Sequence, residues 1–500
     1  MSDSQTGSAL ADSGTAATLA LAPGLTRDYL LHHRLCPKEV NADGRLVVAA
    51  TGDALLGGVE DIAFAYHRQV TCETVERPEL ERLIERLTTR AERSVELARI
   101  DTTSDDLATD VRDLANQPPV IRYVNLLVRD AYDASASDIH LEATRTGLSA
   151  RFRVDGVLVP APEPASHLHH AVVSRVKLLA ELDIAERRRP QDGRIRVRLE
   201  SRELDLRVST VPTMYGESVV LRLLDQGGRP VTLNELGMSS GVLATMAQLS
   251  AKPHGMLLVT GPTGSGKTTT LYAALQRRDA SREKIITVED PIEYQLSDIT
   301  QMPVHRQAGV TFAGALRAIL RQDPDVVMIG EMRDQETAEI AIQAAMTGHL
   351  VFSTLHTNDA ISAIPRLLDL GIPDYLVAAT LEGVLAQRLV RRVCSDCRVD
   401  YEPPAETVAL VAGRPTGRTT LVRGAGCPMC RGTGYRGRLG LFELLTISDE
   451  FRDAIAVRAS RSQLRTLAAE SGLLTLRADG WSKIGAGLTT VEEVVRVIQD

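Results

Sequence analysis

The sequence is poor in aromatic residues and has no long apolar run. Phe, Trp and Tyr make up 3% of its 500 residues, so we expect aliphatic cores and no aromatic platform for single-stranded nucleic acid. The formal net charge of -8 also disfavours nucleic acid as a partner. No apolar stretch is long enough to cross a bilayer, and Met1–Gly14 lacks the basic start and apolar core of a secretory signal. We therefore expect a cytoplasmic protein whose membrane contact goes through partners.

Cysteine is scarce as well, with six in the chain. Cys36 and Cys72 stand alone, and we interpret both as reduced packing residues. The other four form two Cys-x-x-Cys pairs separated by 29 residues, namely Cys394, Cys397, Cys427 and Cys430. Four thiolates match a tetrahedral structural zinc site that leaves no position for water; unrelated thiols or a redox pair are the alternatives. Nearby arginines are expected to offset the charge of this site: Arg388, Arg391, Arg392 and Arg431.

The order of predicted helices and strands divides the chain into seven segments. They are a disordered tail (1–20), a small N-terminal α/β domain that docks on a partner or is a structural cap (21–100), a linker (101–115), an α+β domain with an antiparallel sheet (116–225), an α/β phosphate-loop domain (226–390), a tetracysteine element (391–435) and C-terminal helices (436–500). Helices are predicted at 28–34, 79–97, 120–132 and 168–182, a strand at 45–50, and a hairpin around Asp155-Gly156.

A glycine-rich turn between an apolar strand and a helix organises the phosphate-loop domain. The predicted phosphate contacts are Gly261, Pro262, Thr263, Gly264, Ser265, Gly266, Lys267, Thr268 and Thr269. Backbone N–H groups of such a loop, together with the positive end of the helix, bind phosphates. Lys267 is predicted to reach the outer phosphates and the Thr268 hydroxyl to hold Mg²⁺. A chance glycine-rich turn is the alternative.

Carboxylates follow two further predicted strands. Glu289, Asp290 and Glu293 follow the strand at 284–288, at the edge where open α/β sheets bind ligands. We expect them to order Mg²⁺ and water, with an ordinary charged loop as the alternative. The apolar run at 326–329 leads to Glu331, which is predicted either to act as general base or to complete the metal shell.

Histidines and arginines supply further candidates. His349 and His356 bracket an apolar strand and suggest phosphate sensing or hinge coupling, although single histidines are more often structural. Arg207 and Arg222 lie in apolar strands just before the phosphate-loop domain and are predicted to reach a triphosphate, unless they belong to a solvated strand face. The turn at 434–438 is another predicted phosphate contact.

Together these motifs resemble the secretion ATPases of the type II/type IV pilus superfamily, and within it those of type II secretion. The matching stretches are 136–140, 182–186, 190–194, the phosphate loop, 289–293, 321–325 through 330–331, and 348–359. The resemblance implies a hexamer of RecA-like ATPase cores, each preceded by a PAS-like α+β domain and carrying a zinc-binding insertion. It places the four residues Arg207, Arg222, Arg317 and Arg321 near the triphosphate.

The resemblance also implies partners and a location. ATP turnover with Mg²⁺ would drive pseudopilus assembly at the cytoplasmic face of the inner membrane. The N-terminal domain would dock on an inner-membrane assembly protein, and an inner-membrane platform protein would be a second partner. A type IV pilus assembly ATPase and a nucleotide-gated scaffold without productive turnover are the alternatives, and the presence of both Lys267 and Glu331 argues against the scaffold.

Overall fold

The structure, a computed structural model, forms two compact units, residues 1–110 and 111–500. It describes residues 27–41, 45–52, 57–66, 68–85, 87, 115–199, 202–225, 231–305, 308–404, 407 and 420–498. The predicted tail, and the predicted linker apart from Ala115, lie outside the described residues. Among those that are described, no helix is both long and apolar enough to span a membrane.

The first unit is a small α/β module. Its elements are Arg27–His33 (α1), Leu35–Val40 (β1), Leu46–Ala50 (β2), Gly57–Tyr66 (α2) and Val70–Thr74 (β3), and residues 77–85 are also helical. The predicted helix at 28–34 and strand at 45–50 are confirmed, whereas the predicted helix at 79–97 is only partly described. The central strand β2 pairs antiparallel with β1 and parallel with β3. Cys36 is buried in the core as predicted, but Cys72 lies exposed on β3, so the prediction that it packs is wrong.

The second unit begins with the predicted antiparallel sheet. Its strands are Ala136–Thr144 (β4), Gly147–Val154 (β5), Val157–Pro160 (β6), Gln191–Leu199 (β7), Arg202–Thr213 (β8) and Gly216–Asp225 (β9), in the order β6-β5-β4-β9-β8-β7. Helices Pro118–Asp133 (α3) and His169–Leu179 (α4) cover one face, where Ile139, Phe152 and Leu221 are buried. Because neighbouring residues on a strand point to opposite faces, the other face is left to polar side chains.

The larger sheet of this unit is mostly parallel. Its strands are Gly255–Thr260 (β10), Ile285–Glu289 (β11), Thr300–Pro303 (β12), Val326–Ile329 (β13), Leu350–Leu355 (β14), Leu381–Val393 (β15) and, after the short hairpin Arg398–Tyr401 (β16) and Leu421–Gly424 (β17), Tyr435–Thr446 (β18). The order is β12-β11-β13-β14-β10-β15-β18, with only β18 antiparallel. Strands β10, β13 and β14 are buried along their whole length, as expected where helices cover both faces.

Helices lie between these strands, and others follow β18 at the C-terminal end as predicted. They are Ser240–Ser250 (α5), Lys267–Leu275 (α6), Phe312–Ile319 (α7), Gln335–Met346 (α8), Ala363–Asp369 (α9), Asp374–Thr380 (α10), Asp449–Ala456 (α11), Arg461–Glu470 (α12), Leu476–Gly485 (α13) and Val491–Val497 (α14). One boundary differs from the sequence-based division: residues 436–446, assigned there to the C-terminal helices, belong to β18 and pair with β15. The tetracysteine element therefore leaves and re-enters the sheet between two adjacent strands.

Candidate active site

The phosphate loop joins β10 to α6 in a conformation that requires glycine. Gly264 and Gly266 have φ of 79° and 85°, a region that residues with a side chain rarely adopt. A Cβ atom on Gly261 would come within 2.4 Å of the Gln387 carbonyl oxygen. The loop thus lies directly against β15, and the Ser265 hydroxyl inside it is buried without a hydrogen-bond partner in the described part of the chain.

Lys267 holds its ammonium group over the loop. Its Nζ donates to the carbonyl oxygens of Gly261 and Pro262, at 2.9 and 3.1 Å. Burial lowers the pKa of Lys267 to about 8; the charge of Glu331 opposes this shift and that of Arg388 adds to it. A partly buried cation bound to neutral oxygens favours an anionic ligand beside it.

Glu331 and His356 meet at the same edge of the sheet. They follow β13 and β14, which are adjacent and parallel, so both strands end on the side of the phosphate loop. Glu331 Oε2 lies 2.6 Å from Arg333 Nε and 3.5 Å from His356 Nε2. Burial and the charge of Lys267 lower the pKa of His356, against the effect of Glu331. The geometry therefore brings Lys267, Glu331 and His356 together.

His349 lies at the amino end of β14, on the side of the sheet away from the phosphate loop. It precedes β14, its carbonyl oxygen accepts the N–H of Gly255 at the start of β10, and its ring Nδ1 is 2.9 Å from the Ala344 carbonyl. Within one chain, the two histidines singled out from the sequence are thus separated by the length of a strand. Only His356 is near the phosphate loop.

The three carboxylates at and after the end of β11 have different surroundings. Glu289 is part of the strand, and its buried carboxylate accepts from the Tyr272 hydroxyl, from Thr287 Oγ1 and from Gln301 Nε2. These bonds use its oxygens inside the protein, where burial raises its pKa. Asp290 is exposed. Burial raises the pKa of Glu293 too, while the charges of Arg207 and Arg222 lower it, so this carboxylate faces the arginines of the α+β domain.

Those arginines belong to a row of charged residues across the antiparallel sheet. In register, the row is Arg153, Asp138, Arg222, Arg207 and Arg194, on five successive strands. Asp138 is buried, with Oδ1 2.8 Å from Arg222 Nε and Oδ2 3.7 Å from Arg153 Nε. Burial lowers the pKa of Arg207, whose Nε lacks a partner among the described residues. The sequence analysis gave Asp138 no role, because β4 also carries Ser137, His140 and Glu142 and nothing local marks one of these polar residues as buried.

Arg317 and Arg321 lie on the surface around α7. Arg317 Nη2 is 2.6 Å from Glu336 Oε1 on α8, and Arg321 donates to the Arg317 carbonyl oxygen at 2.9 Å. Both contacts are to neighbouring helical residues rather than to the phosphate loop of the same chain.

The four cysteines of the tetracysteine element converge on one point. Their sulfur atoms all lie within 4.8 Å of one another, and three of the separations are 3.6, 3.7 and 3.9 Å. A tetrahedral zinc site with bonds of about 2.3 Å has sulfur–sulfur edges of about 3.8 Å. The N–H groups of Gly426 and Gly434 donate to the Cys397 and Cys430 sulfurs, and such hydrogen bonds stabilise the negative charge of a thiolate. The donor set and its geometry thus fit zinc.

Arg388 and Arg438 lie beside the phosphate loop, where they line a cavity of about 400 Å³. Arg388 was expected near the cysteines, and this expectation is wrong because β15 runs past the loop before it reaches Cys394. Arg438 comes from the turn that was predicted to contact phosphate. Arg496, from the last helix, also lines the cavity and was missed, since nothing local in its sequence links it to the loop.

Comparisons with known proteins agree with this geometry. The model of the family described as type II/IV secretion system protein matches residues 113–496. The chain is 51% identical over 412 residues to type II secretion system protein HxcR of Pseudomonas aeruginosa, covering 82% of this chain and 84% of that protein. It is 46% identical over 484 residues to type II secretion system protein E of Xanthomonas campestris, covering 95% and 85%. Type II secretion system ATPase E of Vibrio cholerae is 48% identical, with 78% of each chain covered.

Solved structures extend the likeness to the fold. The ADP-bound pilus retraction motor PilT is 26% identical, with a TM-score of 0.50, and covers 75% of this chain and 96% of its own. The Legionella pneumophila ATPase DotB shares the fold at a TM-score of 0.56 and 20% identity, covering 75% and 95%. From the matched motifs, the site and these relatives together, the chain belongs to the type II/IV secretion system protein family.

Proposed function

We propose that this chain is an ATP-hydrolysing motor that drives protein export in type II secretion. The observation that carries the proposal is the meeting of Lys267 and Glu331 beside the phosphate loop. Relatives about 50% identical to the chain are type II secretion proteins, and one of them carries the name ATPase.

Binding and bond cleavage can be assigned to residues of the chain. The loop N–H groups and Lys267 hold the phosphates, and Glu331 accepts a proton from water as the water oxygen forms a bond to the γ-phosphorus. The bond from that phosphorus to the β–γ bridging oxygen breaks, which releases phosphate and leaves ADP on the loop. His356 and Arg333 orient Glu331. Thr268 would hold Mg²⁺, which neutralises charge on the β- and γ-phosphates when bound.

Arginines outside the phosphate-loop domain would couple hydrolysis to movement. Arg207 and Arg222 neutralise charge on the γ-phosphate, and in exchange their interaction with Glu293 weakens. The α+β domain would therefore shift with each turnover.

Arg317 and Arg321 belong to the phosphate-loop domain itself and lie on an exposed surface. They would reach the nucleotide of a neighbouring subunit, which requires the hexamer of RecA-like cores that the family resemblance implies.

The remaining parts would serve assembly. The N-terminal domain docks on an inner-membrane assembly protein, the motor engages a platform protein, and the protein works at the cytoplasmic face of the inner membrane. Zinc holds the tetracysteine element closed between β15 and β18. Metal analysis of the purified chain should give one zinc per chain, and Cys427→Ser should lose zinc and lower the melting temperature; a chain without zinc would contradict the assignment.

Two alternatives are less favoured. A pilus assembly ATPase would share the catalytic residues, but relatives that are about 50% identical over most of the chain are type II secretion system proteins. A scaffold that binds ATP without turnover would not need Glu331 placed beside Lys267.

Phosphate release from Mg²⁺-ATP tests the proposal. We expect steady turnover by the wild type and none by Lys267→Ala, because the outer phosphates lose their cation. Lys284→Ala, at an exposed lysine, is the matched control. Equal turnover by Lys267→Ala and the wild type would refute the site.

A further inference from the structure

The C-terminal end of the chain borders the phosphate loop. The cavity of about 400 Å³ is lined by 262–265 of the loop, by Arg388 and Leu389 of β15, and by Arg496 and Val497 at the end of α14. Asp155, Asn358 and Arg438 complete a lining that is mostly polar. The last helix therefore lies where a nucleotide on the loop would extend.

Arg496 is held in place by a buried carboxylate. Its Nε and Nη2 lie 3.0 and 2.7 Å from the two oxygens of Glu493, whose side chain is 2% exposed. The same carboxylate accepts from the Arg391 N–H at 2.9 Å and from Arg391 Nη2 at 2.7 Å. Burial opposes its ionisation, but the bonds from Arg496 and Arg391 lower the pKa of Glu493 to about 2. Since Glu493 engages Nε and Nη2, the Nη1 group of Arg496 is left to face a ligand.

The charges around the cavity favour an anionic ligand. Arg388 has a buried Nη1 with no partner in the described ranges, although its Nη2 donates to Asn358. Asp155 is the acidic residue of the lining, and its Oδ1 lies 3.8 Å from Arg438 Nε, so one carboxylate faces three guanidinium groups. Three guanidinium groups thus surround the space, and guanidinium geometry matches phosphate oxygens.

The strand order decides which part of a nucleotide would lie here. Glu331 and His356 follow β13 and β14 on one side of β10, whereas Arg388 and the cavity lie on the β15 side. Contacts on the β15 side therefore lie on the other side of β10 from Glu331 and His356. They would serve ADP and ATP alike.

We propose that Arg496 is a nucleotide-binding residue contributed by the C-terminal helix, and that Glu493 is the positioning residue that holds it toward the α- and β-phosphates and ribose. This inference rests on the proposed function, because it needs a nucleotide on the phosphate loop. It makes the last helix part of the nucleotide site, and it links nucleotide occupancy to the β18 strand through Arg391, whose guanidinium stacks on Tyr435.

The affinities of the full chain for ADP and for a non-hydrolysable ATP analogue test this role. We expect Arg496→Gln to weaken both by about tenfold, the size of one charge-assisted contact, and Arg496→Lys to restore part of the loss. Arg458→Gln, at an exposed arginine paired with Asp374, is the matched control and should bind as the wild type does. Wild-type ADP affinity in Arg496→Gln would overturn the proposal.

A double-mutant cycle separates positioning from general stability. Glu493→Gln should weaken ADP binding in the wild-type background and have no further effect on ADP affinity in the Arg496→Gln background. Equal weakening in both backgrounds would contradict the positioning role, and Glu492→Gln, at the exposed neighbour, is its control. If Lys267→Ala loses ADP while Arg496→Gln keeps it, only this inference fails; if Lys267→Ala also keeps it, the proposed site fails.

Discussion

The two sheets of the second unit handle charge in opposite ways. The central parallel strands β10, β13 and β14 are buried on both faces, and the charged groups Lys267, Glu331 and His356 lie beyond their carboxyl ends. Helices cover one face of the antiparallel sheet, and the other face carries a row of charged residues in mid-strand, with Asp138 buried among the arginines. A buried sheet can hold a ligand only at its edge, whereas a half-open sheet can present side chains from its middle.

The row on the antiparallel sheet is unusual because like charges are neighbours. Arg194, Arg207 and Arg222 are direct cross-strand partners, an arrangement that destabilises a sheet by itself. Asp138 balances one end and the charge of Glu293 acts from the phosphate-loop domain. We interpret the parallel sheet as the fixed nucleotide cradle and the antiparallel sheet as the carrier of movable arginines, and four predictions test this division.

The largest effect is expected at the edge of the parallel sheet. Glu331→Gln should lower ATP turnover by at least about 100-fold, because the amide cannot accept the proton from water. ATP binding should stay intact. Phosphate release and nucleotide affinity, measured together, check this. Glu339→Gln, at an exposed glutamate of α8, should behave as the wild type; turnover by Glu331→Gln within about twofold of normal would remove Glu331 from catalysis.

Arginines of the other sheet should affect turnover without affecting ADP. Because we propose that both arginines neutralise charge on the γ-phosphate, we expect Arg207→Gln and Arg222→Gln to slow hydrolysis by about 10- to 100-fold. ADP, which lacks that phosphate, should bind with unchanged affinity. Arg198→Gln, on the outer strand β7, is the control. A loss of ADP affinity in either variant would break the division between cradle and arginines.

The pKa of Lys267 predicts that the affinity for ADP depends on pH through the phosphate loop and not through the arginines of the antiparallel sheet. In the free chain this pKa is about 8, and phosphate raises it by favouring the ammonium form. Above pH 8, ADP binding must therefore take up a proton, and affinity should fall by up to about tenfold per pH unit. Titrations from pH 7 to 9.5 check this; Lys267→Arg, which stays charged, should give a flat profile, and a flat wild-type profile would contradict the shift.

The smallest effect is expected at Asp138. Asp138→Asn keeps an acceptor for Arg222 but removes the charge that fixes it, so turnover should fall only a few-fold, with a stability loss of about 1–3 kcal/mol. Kinetics and chemical denaturation measure the two. Once Arg222→Gln is present, Asp138→Asn should cause little further loss of turnover; full additivity would argue against positioning through Arg222.

Features that are local in sequence were predictable, and features made by topology were not. The phosphate loop and the cysteine pairs each lie within a few residues, so spacing alone identified them. Arg388 and Arg496 come near the phosphate loop only through the strand order β14-β10-β15 and the last helix, and Asp138 comes near Arg222 only through cross-strand register.

The two histidines show what spacing could still have revealed. His349 and His356 bracket a strand of six residues, which is about 20 Å long, so their separation was available from sequence. The surroundings of Glu289, by contrast, could not be predicted from sequence. Its side chain points into the protein because β11 ends at this residue and because Tyr272 and Gln301, distant in sequence, donate to its carboxylate.

A structure of the chain with a bound ATP analogue tests the central claim most directly. We expect the triphosphate on the phosphate loop, with Lys267 Nζ moved from the Gly261 and Pro262 carbonyls to the outer phosphates, Glu331 beside the γ-phosphate and Arg207 turned toward it. A triphosphate bound elsewhere, with Lys267 still on the loop carbonyls, would contradict the account.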